Sequence, residues 1–208
     1  MLKSPVLTIL RGVSKEELFK LCESFIRVGI DTLEITMNTV KAAELITAVN
    51  DKFGDKLHIG AGTVTTIDEL EEALKAGAKF IVTPVVNKDV IRICIDKNIP
   101  VIPGALTPTE IFEAWQMGAL MIKVFPASLF GPKYFKEVLG PLNTIKLMAV
   151  GGVNATNIEE YFMNGAKAVA VGGSLMSKER MNADRYDLIE NDLSELINKA
   201  NKSTQDVR

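Results

Sequence analysis

The chain has 208 residues, of which 47% are hydrophobic, and its 24 Lys and Arg residues against 26 Asp and Glu residues give a formal net charge of −2 at pH 7. This length and apolar fraction suit one domain with a sizeable core. The balanced charge, without a basic block, argues against a nucleic-acid partner.

The N-terminal segment and the cysteines indicate a cytoplasmic protein. The apolar stretch that ends at Arg11 is too short for the core of a signal peptide, so we interpret it as a strand and expect no membrane partner. Cys22 and Cys94 stand in segments with a helical pattern, and neither belongs to a CxxC pair or to a metal-ligand spacing. Isolated cysteines of this kind fit a reducing compartment.

Short apolar runs alternate along the chain with longer segments of helical period. The predicted strands lie near residues 5–10, 31–36, 57–61, 79–83, 99–102, 120–125, 145–150 and 167–171. Glycines that can form a left-handed helix cap end four of the predicted helices, at Gly29, Gly77, Gly118 and Gly165. The sequence pattern of residues 184–208 predicts a helix with a polar tail. Eight βα units without a linker favour a single-domain (β/α)₈ TIM barrel over residues 1–208, with a doubly wound open sheet as the alternative.

The second predicted strand carries polar side chains in alternation. Thr32, Glu34, Thr36 and Asn38 fall on one side of it, and Leu33, Ile35 and Met37 on the other. Because the outer side of a barrel strand meets helices, the polar side is predicted to face the interior. Glu34 should therefore point into the barrel.

A lysine interrupts the apolar run of residues 120–126, the sixth predicted strand. If Met121, Lys123 and Phe125 form its inward side, the Lys123 amine enters the same interior as Glu34. An amine held among apolar groups is more often the neutral nucleophile that attacks a carbonyl, which indicates Schiff-base chemistry. Two structural alternatives are a strand-end lysine whose amine reaches water and a buried ion pair with Glu34.

Glycine pairs follow three of the predicted strands. Gly60 and Gly62, before Thr63, fit either packing or ligand binding. The later pairs, Gly151-Gly152 and Gly172-Gly173-Ser174, follow strands seven and eight, where barrels frequently hold a phosphate on backbone N–H groups. Neither pair is followed by the lysine and hydroxyl residue of a nucleotide P-loop, so we expect a small phosphorylated metabolite as the ligand.

Metal chemistry finds little support in the sequence. His58 is the only histidine, and its place at the start of the third predicted strand indicates a residue at the bottom of the barrel. We find no cluster of acidic residues at the strand ends that would form a carboxylate metal site. We therefore expect a mechanism that uses an amine and no metal or cofactor.

Several motifs resemble those of the pyruvate-forming 2-keto-3-deoxy-6-phosphogluconate aldolases, a family that also acts on 4-hydroxy-2-oxoglutarate. The matching segments are Leu33-Glu34-Ile35-Thr36, Gly60-Ala61-Gly62-Thr63-Val64, Ile102-Pro103-Gly104, Ile122-Lys123-Val124-Phe125-Pro126-Ala127 and the closing glycine pairs. The resemblance runs from Ile9 to Ser174. It implies a class I aldolase that forms trimers of barrels.

The resemblance also implies roles for single residues. Lys123 would form the Schiff base, and Glu34 would be the general acid/base. The residues implied in substrate binding are Arg11, Thr63, Pro84, Phe125 and Asn38, and those implied in phosphate binding are Gly151, Gly152, Gly172, Gly173 and Ser174. Thr63 and Phe125 would line the pyruvate end of the site.

Two departures from the gluconate-type pattern bear on the substrate. Asn38 stands where many of those members carry arginine, and Val150 stands where many carry threonine. These features resemble the branch that acts on the C4 epimer, 2-keto-3-deoxy-6-phosphogalactonate, with Arg11 as the cation for the substrate carboxylate. The gluconate compound stays our main expectation. A phosphate-binding sugar-phosphate isomerase or epimerase that uses Glu34 as its base is an alternative of another class, and a sugar-acid sensor without turnover is a third.

Overall fold

The computed structural model describes residues 4–173 and 175–205. The strands are β1 Val6–Leu10, β2 Thr32–Thr36, β3 His58–Gly62, β4 Ile81–Val82, β5 Val101–Ile102, β6 Gly104–Ala105, β7 Ile122–Val124, β8 Leu147–Val150 and β9 Ala168–Val171. The helices are α1 Lys15–Val28, α2 Ala42–Phe53, α3 Ile67–Lys75, α4 Lys88–Asp96, α5 Pro108–Gln116, α6 Lys133–Leu139, α7 Ile158–Met163, α8 Lys178–Asn182 and α9 Tyr186–Gln205. A 3₁₀ helix covers Ala127–Leu129.

The strands form one parallel sheet that closes into a barrel. Their order is β5-β4-β3-β2-β1-β9-β8-β7-β6. Only Pro103 separates β5, which pairs with β4, from β6, which pairs with β7. The two short strands therefore occupy one position of an eight-membered ring, and the Pro103 carbonyl accepts a hydrogen bond of 2.9 Å from Lys123 N. The predicted barrel is confirmed. The fifth predicted strand, near residues 99–102, is found as β5, and the structure adds the short strand β6 after Pro103.

Glycine caps turn four helices into the strands that follow them. The φ angles are +83° at Gly29, +92° at Gly77, +95° at Gly118 and +99° at Gly165. This left-handed conformation is available to glycine without the Cβ penalty that other residues meet, and it lets the chain reverse within two or three residues. The predicted caps are confirmed. Among the described helices, none is long and apolar enough to cross a membrane.

Two apolar layers make up the core. The outer layer lies between strands and helices and contains Leu33 and Ile35, the non-polar side of β2. The inner layer fills the barrel with Leu7, Phe80, Val82, Ile102, Met121, Met148, Val150, Ala168 and Ala170. The alternation predicted for β2 and for Met121 is therefore found in the structure.

Phe80 closes the lower part of the barrel interior. Its ring stacks on His58 with a centroid distance of 5.7 Å, which places the histidine at the bottom of the barrel, as predicted. The ring also lies directly against Gly60, where an added Cβ would overlap its atoms. Gly60 is therefore a packing residue that makes room for Phe80 across the strand.

Gly60→Ala should destabilise the protein, since the new methyl group must displace a ring held in a packed core. Overpacking of this kind costs about 1–3 kcal/mol. Urea unfolding measures the loss, and Gly173→Ala is the matched control because a Cβ there has no atom within 4 Å. A Phe80→Leu substitution added to Gly60→Ala should recover part of the loss. Equal stability of the two alanine variants would contradict the packing role.

Candidate active site

A cavity of about 500 Å³ opens at the carboxyl ends of the strands. Its lining includes the predicted site residues Arg11, Asn38, Thr63, Pro84, Lys123, Phe125, Gly151, Gly152, Gly172 and Gly173. These residues come from seven different strand ends or the loops that follow them, so the barrel brings together positions far apart in sequence. Of the predicted set, Glu34 is buried and does not line the cavity, and Ser174 lies outside the described residues.

Lys123 projects into this cavity from β7. The strand is buried on both sides, and only 5% of the Lys123 surface is exposed. Ile122 and Val124 belong to the outer core layer, so alternation sends the lysine inward. Its Nζ lies 5.2 Å from the centroid of the Phe125 ring, within the range of a cation–π contact. The amine is thus held in a largely apolar setting beside open space.

Glu34 is a buried carboxyl group on β2 with 1% of its surface exposed. Within the described part of the chain, neither carboxylate oxygen has a hydrogen-bond partner. The arrangement therefore differs from a hydrogen-bonded ion pair between Glu34 and Lys123. Buried carboxylates without partners are costly, and perturbed groups of this kind concentrate at functional sites.

Burial raises the pKa of Glu34, and the positive charges of Lys123 and Arg11 oppose this shift. Space for the side chain comes from Gly62 on the neighbouring strand, where an added Cβ would overlap the carboxylate. Gly62 pairs with Thr36 in the ladder between β2 and β3, two residues beyond the Glu34–Gly60 pair. The sequence left open whether this glycine pair serves packing or ligand binding. In the structure Gly60 makes room for Phe80 in the core, and Gly62 makes room for the Glu34 carboxyl group.

Polar contacts fix the rim of the cavity near Arg11. The Arg11 guanidinium donates a hydrogen bond of 3.3 Å to the Thr63 hydroxyl. Thr63 has a φ of +55°, a strained conformation for a β-branched residue that is often found at functional sites. The turn after Arg11 is held by Gly12 N, which donates to the Thr39 hydroxyl over 3.0 Å. Sequence reasoning missed Thr39, although its hydroxyl follows directly on Asn38.

The two glycine loops lie side by side at the end of the cavity formed by β8 and β9. Gly151 and Gly152 have φ angles of +97° and +76°, which favour glycine. A Cβ at Gly152 would stand 2.6 Å from the Ser128 Cβ, so the loop packs closely against the 3₁₀ helix. At Gly172 a Cβ would stand 3.0 Å from the Ile9 carbonyl oxygen. Both loops therefore present bare backbone to the cavity.

Apolar lining residues complete the site. Ile9, Val150, Val153, Ala170 and Val171 lie among the polar groups. The sequence singled out only Val150 of these, and the inward alternation of β1 and β9 could have identified Ile9 and Ala170. Among residues 4–173 and 175–205, no group of three His, Cys, Asp or Glu side chains is arranged to hold a metal ion.

Comparisons with known proteins agree on one family. The aldolase family model described as KDPG and KHG aldolase matches residues 1–191. The 2-dehydro-3-deoxy-6-phosphogalactonate aldolase of Escherichia coli (strain K12) is 36% identical over 174 residues, covering 83% of this chain and 85% of that protein.

Solved structures share the barrel. One described as native KDPGal has a TM-score of 0.92 and 31% identity and covers 99% of this chain and 98% of its own. The KDPG aldolase of Legionella pneumophila, with pyruvate captured as a covalent carbinolamine intermediate, has a TM-score of 0.85 and 29% identity. The matched region covers 93% of this chain and 94% of the Legionella chain.

The unaltered protein should lose stability relative to the Glu34→Gln variant as the pH rises. Because burial raises the pKa of Glu34, the folded state holds the proton more tightly than the unfolded chain does. The pKa of an unfolded glutamate is about 4.3. The free energy of unfolding of the unaltered protein should therefore fall as the pH rises from that value through the raised pKa of the folded state. Urea unfolding across this range measures the difference between the two proteins.

Glu110→Gln is the control of opposite sign for this measurement. Hydrogen bonds from the backbone N–H groups of Thr107 and Leu106 lower the pKa of Glu110. Its stabilising contribution should therefore be present above about pH 4.3 and be lost as the pH falls through the folded pKa. A stability difference for Glu34→Gln that does not change with pH would contradict the burial argument.

Proposed function

This chain belongs to the KDPG and KHG aldolase family and is an aldolase, a lyase, and from that premise we propose that it cleaves 2-keto-3-deoxy-6-phosphogluconate to pyruvate and glyceraldehyde 3-phosphate. The observation that carries the proposal is the presence in one barrel interior of a buried amine, Lys123, which lines the cavity, and a buried carboxyl, Glu34, which has no hydrogen-bond partner among the described residues. The two groups are close enough for the positive charge of Lys123 to oppose the rise that burial causes in the pKa of Glu34. Family membership decides against the sugar-phosphate isomerase that the sequence left open.

Lys123 supplies the nucleophile of the proposed reaction. Its neutral Nζ attacks the C2 ketone of the substrate to form a carbinolamine, which loses water to give a cationic imine. The imine accepts the electron pair of the C3–C4 bond when that bond breaks. The Phe125 ring, 5.2 Å from Nζ, lies close enough to stabilise the positive charge that the imine carries.

Glu34 moves the protons of the proposed reaction. It takes the proton of the C4 hydroxyl, directly or through one water molecule, as C3–C4 cleavage releases glyceraldehyde 3-phosphate and leaves a pyruvate enamine. The same carboxyl returns the proton to C3, and hydrolysis of the imine then frees pyruvate and Lys123. The raised pKa of Glu34 supports this role, because burial shifts the titration of the carboxyl toward neutral pH, and acid/base catalysis gains from a shift in that direction.

The remaining lining residues bind the substrate in this proposal. Arg11, hydrogen-bonded to Thr63, supplies the cation for the substrate carboxylate, and Phe125 lines the pyruvate end. Pro84 and Asn38 line the same cavity. The backbone of the two glycine loops, together with Ser174, holds the phosphate. A substrate without phosphate, 4-hydroxy-2-oxoglutarate, would use the same lysine and give pyruvate and glyoxylate.

The C4 epimer is a second candidate substrate, supported by Val150. This side chain lines the cavity from the end of β8, where a threonine would offer a hydroxyl to the substrate. The E. coli relative that is 36% identical is a phosphogalactonate aldolase. Cleavage of 2-keto-3-deoxy-6-phosphogalactonate would give the same two products, because C4 becomes the aldehyde carbon of the released triose.

We further propose a cytoplasmic homotrimer that serves the Entner-Doudoroff route of carbohydrate metabolism. Leu129 and Phe130 support self-association, because 66% and 58% of their surfaces are exposed on the segment that follows β7. Exposed apolar residues next to one another are typical of contacts between subunits.

Reduction with borohydride in the presence of pyruvate should attach a pyruvate-derived group to Lys123. Lys123→Ala should lose both the label and pyruvate release. Glu34→Gln should keep the label and lose about 10²–10⁴-fold in turnover. Mass spectrometry of the intact protein and a dehydrogenase-coupled assay provide the two readouts. Lys146→Ala, at an exposed lysine just before β8, is the matched control and should remain labelled and active. Cleavage retained by Lys123→Ala would overturn the mechanism.

Pyruvate release from the two epimers, followed side by side, should show a higher kcat/KM for the gluconate compound. Val150→Thr should raise this preference by about tenfold, the scale of one hydrogen bond between the new hydroxyl and the substrate. A higher kcat/KM for the galactonate compound would assign the second candidate instead. An unchanged ratio in Val150→Thr would remove Val150 as a specificity determinant.

A further inference from the structure

Asn157, directly before α7, uses its side chain in an unusual way. Asparagine at this position commonly caps a helix by accepting hydrogen bonds from the first N–H groups, yet Asn157 makes no such bond. Its Oδ1 instead accepts from Asn154 N over 2.9 Å, and its Nδ2 donates to the Gly152 carbonyl over 2.9 Å. The side chain is thus turned away from its own helix and toward the first glycine loop.

A second asparagine converges on the same carbonyl. Asn154 Nδ2 donates to Gly152 O over 3.4 Å, while its Oδ1 accepts from both Thr156 N and the Thr156 hydroxyl. The Gly152 carbonyl is therefore held by two side chains that do not line the cavity. Gly152 has a φ of +76° and no Cβ, so without such contacts its peptide could rotate easily.

The direction of this carbonyl determines what the loop offers to a ligand. In a trans peptide the C=O and the following N–H point in opposite directions, so a Gly152 carbonyl held by Asn157 directs the Val153 N–H to the opposite side. Gly152 and Val153 both line the cavity. In the part of the chain that the structure describes, the N–H groups of these two residues have no acceptor.

We propose that Asn157 is a positioning residue that orients the Gly151–Val153 backbone so that its N–H groups bind the phosphate of the substrate. The proposal rests on the proposed function, because it assigns the phosphate to this loop. Asn157 itself does not touch the phosphate. It acts by keeping a carbonyl oxygen, which would repel an anion, turned away from the cavity.

Binding of inorganic phosphate, measured by isothermal titration calorimetry, tests the proposal without requiring turnover. Asn157→Ala should weaken binding by about five- to tenfold, the scale of one lost hydrogen bond. Asn157→Ser places a side chain that favours the helix cap position before α7 but is too short to reach Gly152, so it should show the same loss in a folded protein. Asn164→Ala is the matched control, because Asn164 Nδ2 donates to the Glu160 carbonyl at the other end of α7.

Kinetics provide the second readout. In both Asn157 variants, KM for the phosphorylated substrate should rise. The kcat/KM for 4-hydroxy-2-oxoglutarate, which has no phosphate, should stay unchanged. Equal phosphate affinity in all variants, equal losses on both substrates, or no phosphate binding by the unaltered protein would each overturn the proposal. Phosphate binding that depends on Asn157, in a protein that releases no pyruvate, would support this proposal and overturn the proposed function.

Discussion

The site depends on two glycines, Gly60 and Gly62, on the inner side of β3 beyond His58. A barrel interior is normally filled by large residues from every strand, and here Gly60 and Gly62 leave that side of β3 bare. Phe80 occupies the lower space and Glu34 the upper one. One strand therefore makes room both for the Phe80 ring in the inner core layer and for the buried carboxyl group of Glu34.

Closure of the ring imposes a second constraint, at Pro103. Because proline has no N–H, the strand position it occupies cannot continue a regular ladder, and the chain splits into β5 and β6. The break still contributes to the site, since the Pro103 carbonyl accepts the Lys123 N–H. The backbone of the lysine is thus fixed at the seam of the barrel while its side chain faces the cavity.

Period-two alternation was sufficient to predict that Glu34 and Lys123 face one interior, because each stands on a strand whose other side is plainly apolar. The roles of Gly60 and Gly62 could not be predicted in this way, since they depend on which side chain crosses from the neighbouring strand. The direction of the Asn157 side-chain amide could not be predicted either, because it depends on a neighbour that the fold brings close. An asparagine directly before a helix predicts a helix cap. Only the structure shows that the Asn157 side chain donates to the Gly152 carbonyl instead.

The buried carboxyl links the stability of the barrel to its proposed chemistry. Within the described residues Glu34 has no hydrogen-bond partner, so the fold offsets the burial of its charge only through the positive charges of Lys123 and Arg11. In the proposed reaction, the C4 hydroxyl of the substrate is the donor that this carboxylate lacks. Substrate binding would then relieve a cost that the free protein carries, and the proton would move along the same contact. The group whose burial costs stability is thus the group best placed to act on the substrate.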